Sequence, residues 1–105
     1  MSDIEINKGQ WKSLPEQARA AVISALKEQD VLKEGDRIVP NDSAERIEPN
    51  PKQRDDHPDH PDYCVEACWL AAEMTYRTCM AMGGMPQACE IAMDQTYSHC
   101  MKDCR

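Results

Sequence analysis

Six cysteines, all between positions 64 and 104, constrain the fold of this chain more than any other feature. They form two sets of three with mirrored spacing, four then eleven residues and eleven then four: Cys64, Cys68, Cys79 and Cys89, Cys100, Cys104. At about 100° of rotation per residue, the three thiols of each set lie on one face of an α-helix. The spacing therefore predicts two helices whose cysteine-bearing faces meet.

The cysteine-rich segment also contains an internal repeat. Shifted by 21 residues, positions 68–80 fall on positions 89–101 with six identities and two close matches in thirteen, which gives the pattern C-x-[LI]-A-x-[ED]-x-T-Y-x-x-C-M. Between the copies, the segment MGGMP at 82–86 combines glycine, which ends helices, with proline, which opens them. The sequence predicts a duplicated helix folded into an antiparallel αα-hairpin over residues 62–105.

The hairpin geometry selects a disulfide pairing. In an antiparallel pair of helices, the numbers of two facing residues add to a constant total. Of the fifteen connectivities open to six cysteines, one meets this condition for all three pairs. The midpoint of the pairs falls on Gly84, in the predicted turn. The predicted bridges are Cys64–Cys104, Cys68–Cys100 and Cys79–Cys89.

The first 47 residues contain no Cys or His and predict a small helical unit. Ser13 is the predicted N-cap of a helix with Pro15 in its first turn; small apolar residues follow at three- and four-residue steps, a stripe that ends near Gly35. Segments 4–6 and 37–39 alternate and predict a short strand pair beside this helix. Two interpretations of the stripe stay open: burial within the unit against Trp11, Ile38 and Val39, or docking onto another protein.

Residues 48–61 hold four of the seven prolines among polar residues, which predicts an extended linker. The chain is thus divided into a small N-terminal helical unit (1–47), a proline-rich linker (48–61) and a disulfide-stapled hairpin (62–105). The predicted fold class is mainly α.

Charge and composition exclude several functions. A net charge of -7 and a pI of about 4.8 oppose binding to nucleic acid, which requires a basic face. No apolar run approaches the ~20 residues of a membrane span, and the first residues lack the basic start and apolar stretch of a secretory signal. Three disulfides require an oxidising compartment: the periplasm, the extracellular space or the mitochondrial intermembrane space.

Two helices with facing, paired cysteines resemble the twin-cysteine hairpins of the coiled-coil-helix–coiled-coil-helix family, over residues 62–105 only. The spacing departs from that family: Cys68/Cys79 and Cys89/Cys100 enclose ten residues, one more than is usual there, and Cys64/Cys104 form an extra pair. The resemblance implies an assembly factor, a small subunit or a chaperone of an oxidising compartment.

The sequence contains no C-x-x-C redox pair and no phosphate-binding glycine loop. We therefore expect a protein that is not an enzyme, holds no cofactor and presents a rigid hairpin to a protein partner. Trp69, beside the stapling face, is the predicted partner contact because Trp is enriched in interface hot spots.

Two alternatives stay open. One is a precursor with residues 1–47 as leader. The other is a protein that binds zinc or copper through the reduced thiols of the four outer cysteines, Cys64, Cys68, Cys100 and Cys104, with methionine thioethers nearby.

Overall fold

The computed structural model describes residues 3–45 and 62–104. In chain order the elements are β1 (Asp3–Asn7), α1 (Lys8–Ser13), α2 (Glu16–Glu28), β2 (Arg37–Asn41), α3 (Asp62–Ala81) and α4 (Pro86–Asp103). The predicted fold class is confirmed, with a stapled hairpin of α3 and α4 preceded by short helices and a strand pair. The predicted linker, 48–61, lies outside the described residues, so the three-part division stays a prediction.

The turn between α3 and α4 follows from its two glycines. Gly83 has φ +84°, a left-handed conformation that glycine adopts without steric cost. The amide of Gly84 donates to the carbonyl of Cys79 (3.0 Å) and that of Gly83 to the carbonyl of Met80 (3.1 Å), which is the Schellman arrangement that ends helices. Pro86 then opens α4, as predicted from the sequence.

The two copies of the repeat meet at the threonines of the repeat pattern. Thr75 and Thr96, equivalent positions of the repeat, are buried and their hydroxyl oxygens lie 2.9 Å apart. Thr75 in turn donates to the carbonyl of Ala71 (3.1 Å), so these buried polar groups have partners. The repeat therefore places a local two-fold axis, perpendicular to the plane of the hairpin, between these threonines.

The N-terminal region begins with a strand that runs directly into a short helix. The side chain of Asn7 accepts from the amide of Gln10 (2.9 Å) and so caps α1. The prediction that Ser13 caps the following helix is wrong. Ser13 is the last residue of α1, its hydroxyl donates to the carbonyl of Gln10 (2.8 Å), and Pro15 occupies the N-cap position of α2.

The predicted strand pair is present and parallel. Asp3 pairs with Arg37 and Asn7 with Asn41 at the two ends of the ladder. Parallel strands need a crossover connection, and α1 and α2 supply it. Asn7 also donates from Nδ2 to the carbonyl of Ala44 (3.0 Å), which holds the chain after β2 against the end of β1.

The apolar stripe of α2 packs against both helices of the hairpin, and the two regions share one hydrophobic core. The buried residues of the stripe are Ala18, Ala21, Val22, Ala25 and Leu26. Trp11 belongs to the same core, as the first interpretation expected, but neither interpretation named the hairpin of the same chain as the main partner. The predicted end near Gly35 is wrong: α2 ends at Glu28, and Asp30 follows with φ 57°. The leader hypothesis for residues 1–47 stays a prediction.

Candidate interaction surface of the hairpin

Three disulfides join the facing helices in the predicted pairing. The Cα–Cα distances are 5.6 Å for Cys64–Cys104, 5.3 Å for Cys68–Cys100 and 5.5 Å for Cys79–Cys89. All six thiols are used in these bridges, so the thiolate hypothesis for zinc or copper requires the reduced protein. Within residues 3–45 and 62–104, no three His, Cys, Asp or Glu side chains are grouped in a way that holds a metal ion.

One face of the hairpin is covered by α2. Ser24 of α2 lies between two side chains of α4: its hydroxyl is 3.3 Å from Nε2 of His99 and donates to Oδ2 of Asp103 (3.1 Å). His99 Nε2 is also 3.4 Å from Asp103 Oδ2. These polar contacts fix the side of α4 against which α2 packs.

Ser24, His99 and Asp103 are the residue types of a catalytic triad, but their geometry differs from one. In a triad the carboxylate binds one ring nitrogen of His and the hydroxyl binds the other. Here the hydroxyl and the carboxylate both approach Nε2, and the hydroxyl donates directly to the carboxylate. In this arrangement the three side chains link α2 to α4.

The opposite face of the hairpin carries Trp69. Its indole meets the ring of Tyr97 edge to face, with centroids 6.3 Å apart and planes at 72°. On α4, Tyr97 and His99 are two residues apart and so point about 200° away from each other. On α3, Thr78 borders the end of α2 and lies nine residues, about 180°, from Trp69. Both helices thus place Trp69 away from α2.

Further apolar side chains continue this surface along α3. Trp69, Glu73, Tyr76 and Met80 follow one another at steps of four, three and four residues, which keeps them within about 60° on one side of the helix. The first three are half-buried and Met80 is 40% exposed. We call the surface formed by Trp69, Tyr76 and Met80 of α3 the open face; Tyr97 of α4 is buried (6% exposed) and packs against the indole of Trp69.

Carboxylates border the open face on α4. Glu90 and Asp94 lie seven and three residues before Tyr97, which places them within about 60° of its direction. Both residues are exposed. The repeat relates Glu90 to Trp69, so the local two-fold axis carries the aromatic position of one copy onto an acidic position of the other.

On α3 the charge is acidic as well. Arg77 is the basic residue next to the stripe, and its guanidinium pairs with Glu45 (3.3 Å) and Glu73 (3.8 Å). Two carboxylates therefore oppose one guanidinium. Among residues 3–45 and 62–104, the side chains that border the open face carry an excess of negative charge.

The tip of the hairpin is a second apolar surface that sequence reasoning missed. Met82 is 76% exposed and Met85 69%, although most methionines in folded proteins fill the core. The twelve residues 78–89 carry no charged side chain. The turn was predicted from the sequence. The exposure of the two methionines was not, although their position beside the two glycines of the turn was a signal for it.

The predicted site residues are thus divided between two roles. The six cysteines form the stapled seam, and Trp69 is half-buried on the open face. Sequence reasoning missed Tyr76 and Tyr97 as neighbours of Trp69. They are the equivalent tyrosines of the repeat pattern, which was the signal that could have placed them on one face.

Comparison of this chain with protein-family models, with curated proteins and with solved structures gave no match. The geometry alone defines the class of the C-terminal segment: a twin-cysteine helical hairpin, in which Cys64–Cys104 and Cys68–Cys100 join two packed helices. Its disulfides indicate an oxidising compartment. None of the described helices is long and apolar enough to cross a membrane.

Proposed function

We propose that this protein is a non-enzymatic interaction protein whose hairpin docks a protein partner on the open face. The observation that carries the proposal is the position of Trp69, half-buried against Tyr97 on the side of the hairpin that α2 leaves uncovered. Partly exposed aromatic side chains on a rigid support are typical of interface hot spots.

The staples favour this function physically. Binding costs free energy when side chains and backbone become ordered. Three bridges fix the relative position of α3 and α4 before any partner arrives, so the open face loses little freedom on binding. The Trp69–Tyr97 contact restrains the indole in the same way.

We further propose a role as an assembly factor, small subunit or chaperone of the coiled-coil-helix–coiled-coil-helix type, in the periplasm, the extracellular space or the mitochondrial intermembrane space. Support comes from the two nested bridges between packed antiparallel helices. The ten-residue spacing and the third bridge depart from that family, so common descent is not required by the proposal.

The test compares two single variants in affinity capture from the native host. Trp69→Ala removes the largest side chain of the open face, whereas Ile91→Ala, a control, removes an apolar side chain that is 59% exposed on α4. We expect a partner that is retained by wild type and Ile91→Ala and bound about 2 kcal/mol more weakly by Trp69→Ala, with helical circular dichroism and three bridges preserved. Equal retention by all three proteins, with a lower melting temperature for Trp69→Ala, would make Trp69 a structural residue.

A further inference from the structure

We infer that the partner segment is a basic amphipathic helix that lies along the open face. This inference rests on the proposed function and adds the chemistry of the partner. The partner's apolar residues contact Trp69, Tyr76 and Met80, and its Lys or Arg side chains pair with the bordering carboxylates.

The spacing of the open face fits a helix. Its residues on α3 lie eleven residue steps apart from first to last, which at 1.5 Å per step is about 16 Å, or three turns. Steps of four, three and four are the spacing at which two α-helices pack side by side. Tyr97 of the neighbouring helix is buried (6% exposed) and supports the indole of Trp69 edge to face, so the partner helix contacts the stripe of α3.

The charges around the open face determine which charge the partner should carry. Glu90 is exposed on one border, Asp94 is exposed at the outer edge of α4 towards the end of α2, and Glu73 lies within the stripe on the other border. Among residues 3–45 and 62–104, the guanidinium next to the stripe is that of Arg77, which already faces Glu73 and Glu45. A basic helix meets complementary charge on both borders, which increases the rate of encounter and disfavours acidic competitors.

A second copy of this chain is a poorer occupant. In a symmetric dimer the same surface faces itself, which would bring Glu73, Glu90 and Asp94 of the two copies close together. Such like charges across an interface are costly, and the net charge of -7 adds to the repulsion. An anionic surface, whether lipid or nucleic acid, is disfavoured for the same reason.

Three synthetic peptides of about 18 residues test the inference against the full-length oxidised protein. The basic probe has Leu at the four-three-four spacing and Lys elsewhere on the helix. The acidic probe replaces every Lys with Glu, and the shuffled probe keeps the composition of the basic probe but loses the apolar stripe. Calorimetric titrations at about 0.05 M and about 0.5 M salt separate the electrostatic part of the binding free energy, which salt screens, from the apolar part, which salt does not screen.

We expect binding of the basic probe that weakens at high salt, and binding of the acidic and shuffled probes that is weaker by about tenfold or more. Trp69→Ala should weaken the basic probe by about tenfold or more. The triple variant Glu73→Gln, Glu90→Gln, Asp94→Asn should weaken it and reduce the salt dependence while leaving the helical signal intact. Ile91→Ala is the matched control and should bind like wild type.

Equal affinity for the basic and shuffled probes would show that net charge alone accounts for binding, which would overturn the inference. Equal affinity for the basic and acidic probes would leave an apolar surface without charge selection, which also overturns the inference. If no probe binds while capture from the native host still depends on Trp69, the proposed function stands and the partner chemistry is wrong. If neither depends on Trp69, both fail.

Discussion

The two halves of this molecule are held together by different means. In the hairpin, residues 62–104, three covalent bridges join α3 and α4 at Cα distances near 5.5 Å, with alanine and threonine in the seam. The N-terminal region, residues 3–45, contains no cysteine. Its order depends on a two-stranded ladder, short helices and the apolar stripe of α2.

Because of this difference, the N-terminal half depends on the hairpin for its stability more than the hairpin depends on the N-terminal half. The hairpin carries its cross-links within itself, whereas α2 buries its stripe against the hairpin. A two-stranded sheet is marginal when isolated, and a helix of 13 residues is marginal in water without packing. We therefore expect damage to the hairpin to unfold both halves and damage to α2 to affect chiefly its own half.

The largest expected effect is that of full reduction. Each bridge stabilises by roughly 2–4 kcal/mol and the nested loops are less than additive, so reduction should remove about 6 kcal/mol, a large part of the 5–15 kcal/mol margin of a domain. Circular dichroism at 222 nm should show loss of cooperative melting in both halves when a reductant is added. The oxidised protein in the same buffer is the control, and a fully cooperative melt after complete reduction would contradict the comparison.

Next in size is removal of the largest stripe residue. Leu26 is fully buried, and Leu26→Ala should cost about 3 kcal/mol through lost burial and the cavity left behind. Hydrogen exchange should accelerate in residues 3–45 and change little in the hairpin. Lys27→Ala, at the exposed neighbouring position, should change stability by less than about 0.5 kcal/mol. Equal acceleration in both halves would show that they unfold as one unit.

A smaller effect is expected at the turn. A Cβ atom at Gly84 would lie 2.7 Å from Sγ of Cys79 and 2.9 Å from Sγ of Cys89, so Gly84→Ala should destabilise by about 2 kcal/mol through overpacking against the bridge. Gly83→Ala is the matched variant: nothing lies within 4 Å, and its positive φ alone should cost about 1 kcal/mol. Urea denaturation measures both. The reverse order would mean that backbone conformation, not crowding of the bridge, limits the turn.

The smallest effect concerns the polar link between the halves. Ser24→Ala removes the hydroxyl that donates to Asp103 and contacts His99, which should cost about 1 kcal/mol. Urea denaturation with and without Ser98→Ala, a serine exposed on α4, gives the comparison. A Ser24→Ala variant as stable as wild type would show that α2 is held by its apolar stripe alone.

The sequence by itself determined the hairpin. Cysteine spacing, the repeat with a 21-residue shift and the glycines of the turn are all local signals in the sequence. Each one favours the same antiparallel pairing of two helices. Covalent geometry then leaves little freedom, because bridged Cα atoms must approach within about 7 Å. Helix, turn and disulfide connectivity were therefore all predicted correctly for α3 and α4.

Only the tertiary structure decided which face of the hairpin is free. The stripe of α2 is composed of small apolar residues, whose burial is non-directional and does not specify a partner. Ser13 failed as a predicted cap for a similar reason, since a hydroxyl serves a helix end as well as a helix start. Once α2 occupies the side of His99, Trp69 and the two tyrosines of the repeat are left together on the other side. The site thus depends on a packing choice between distant segments, which local patterns do not encode.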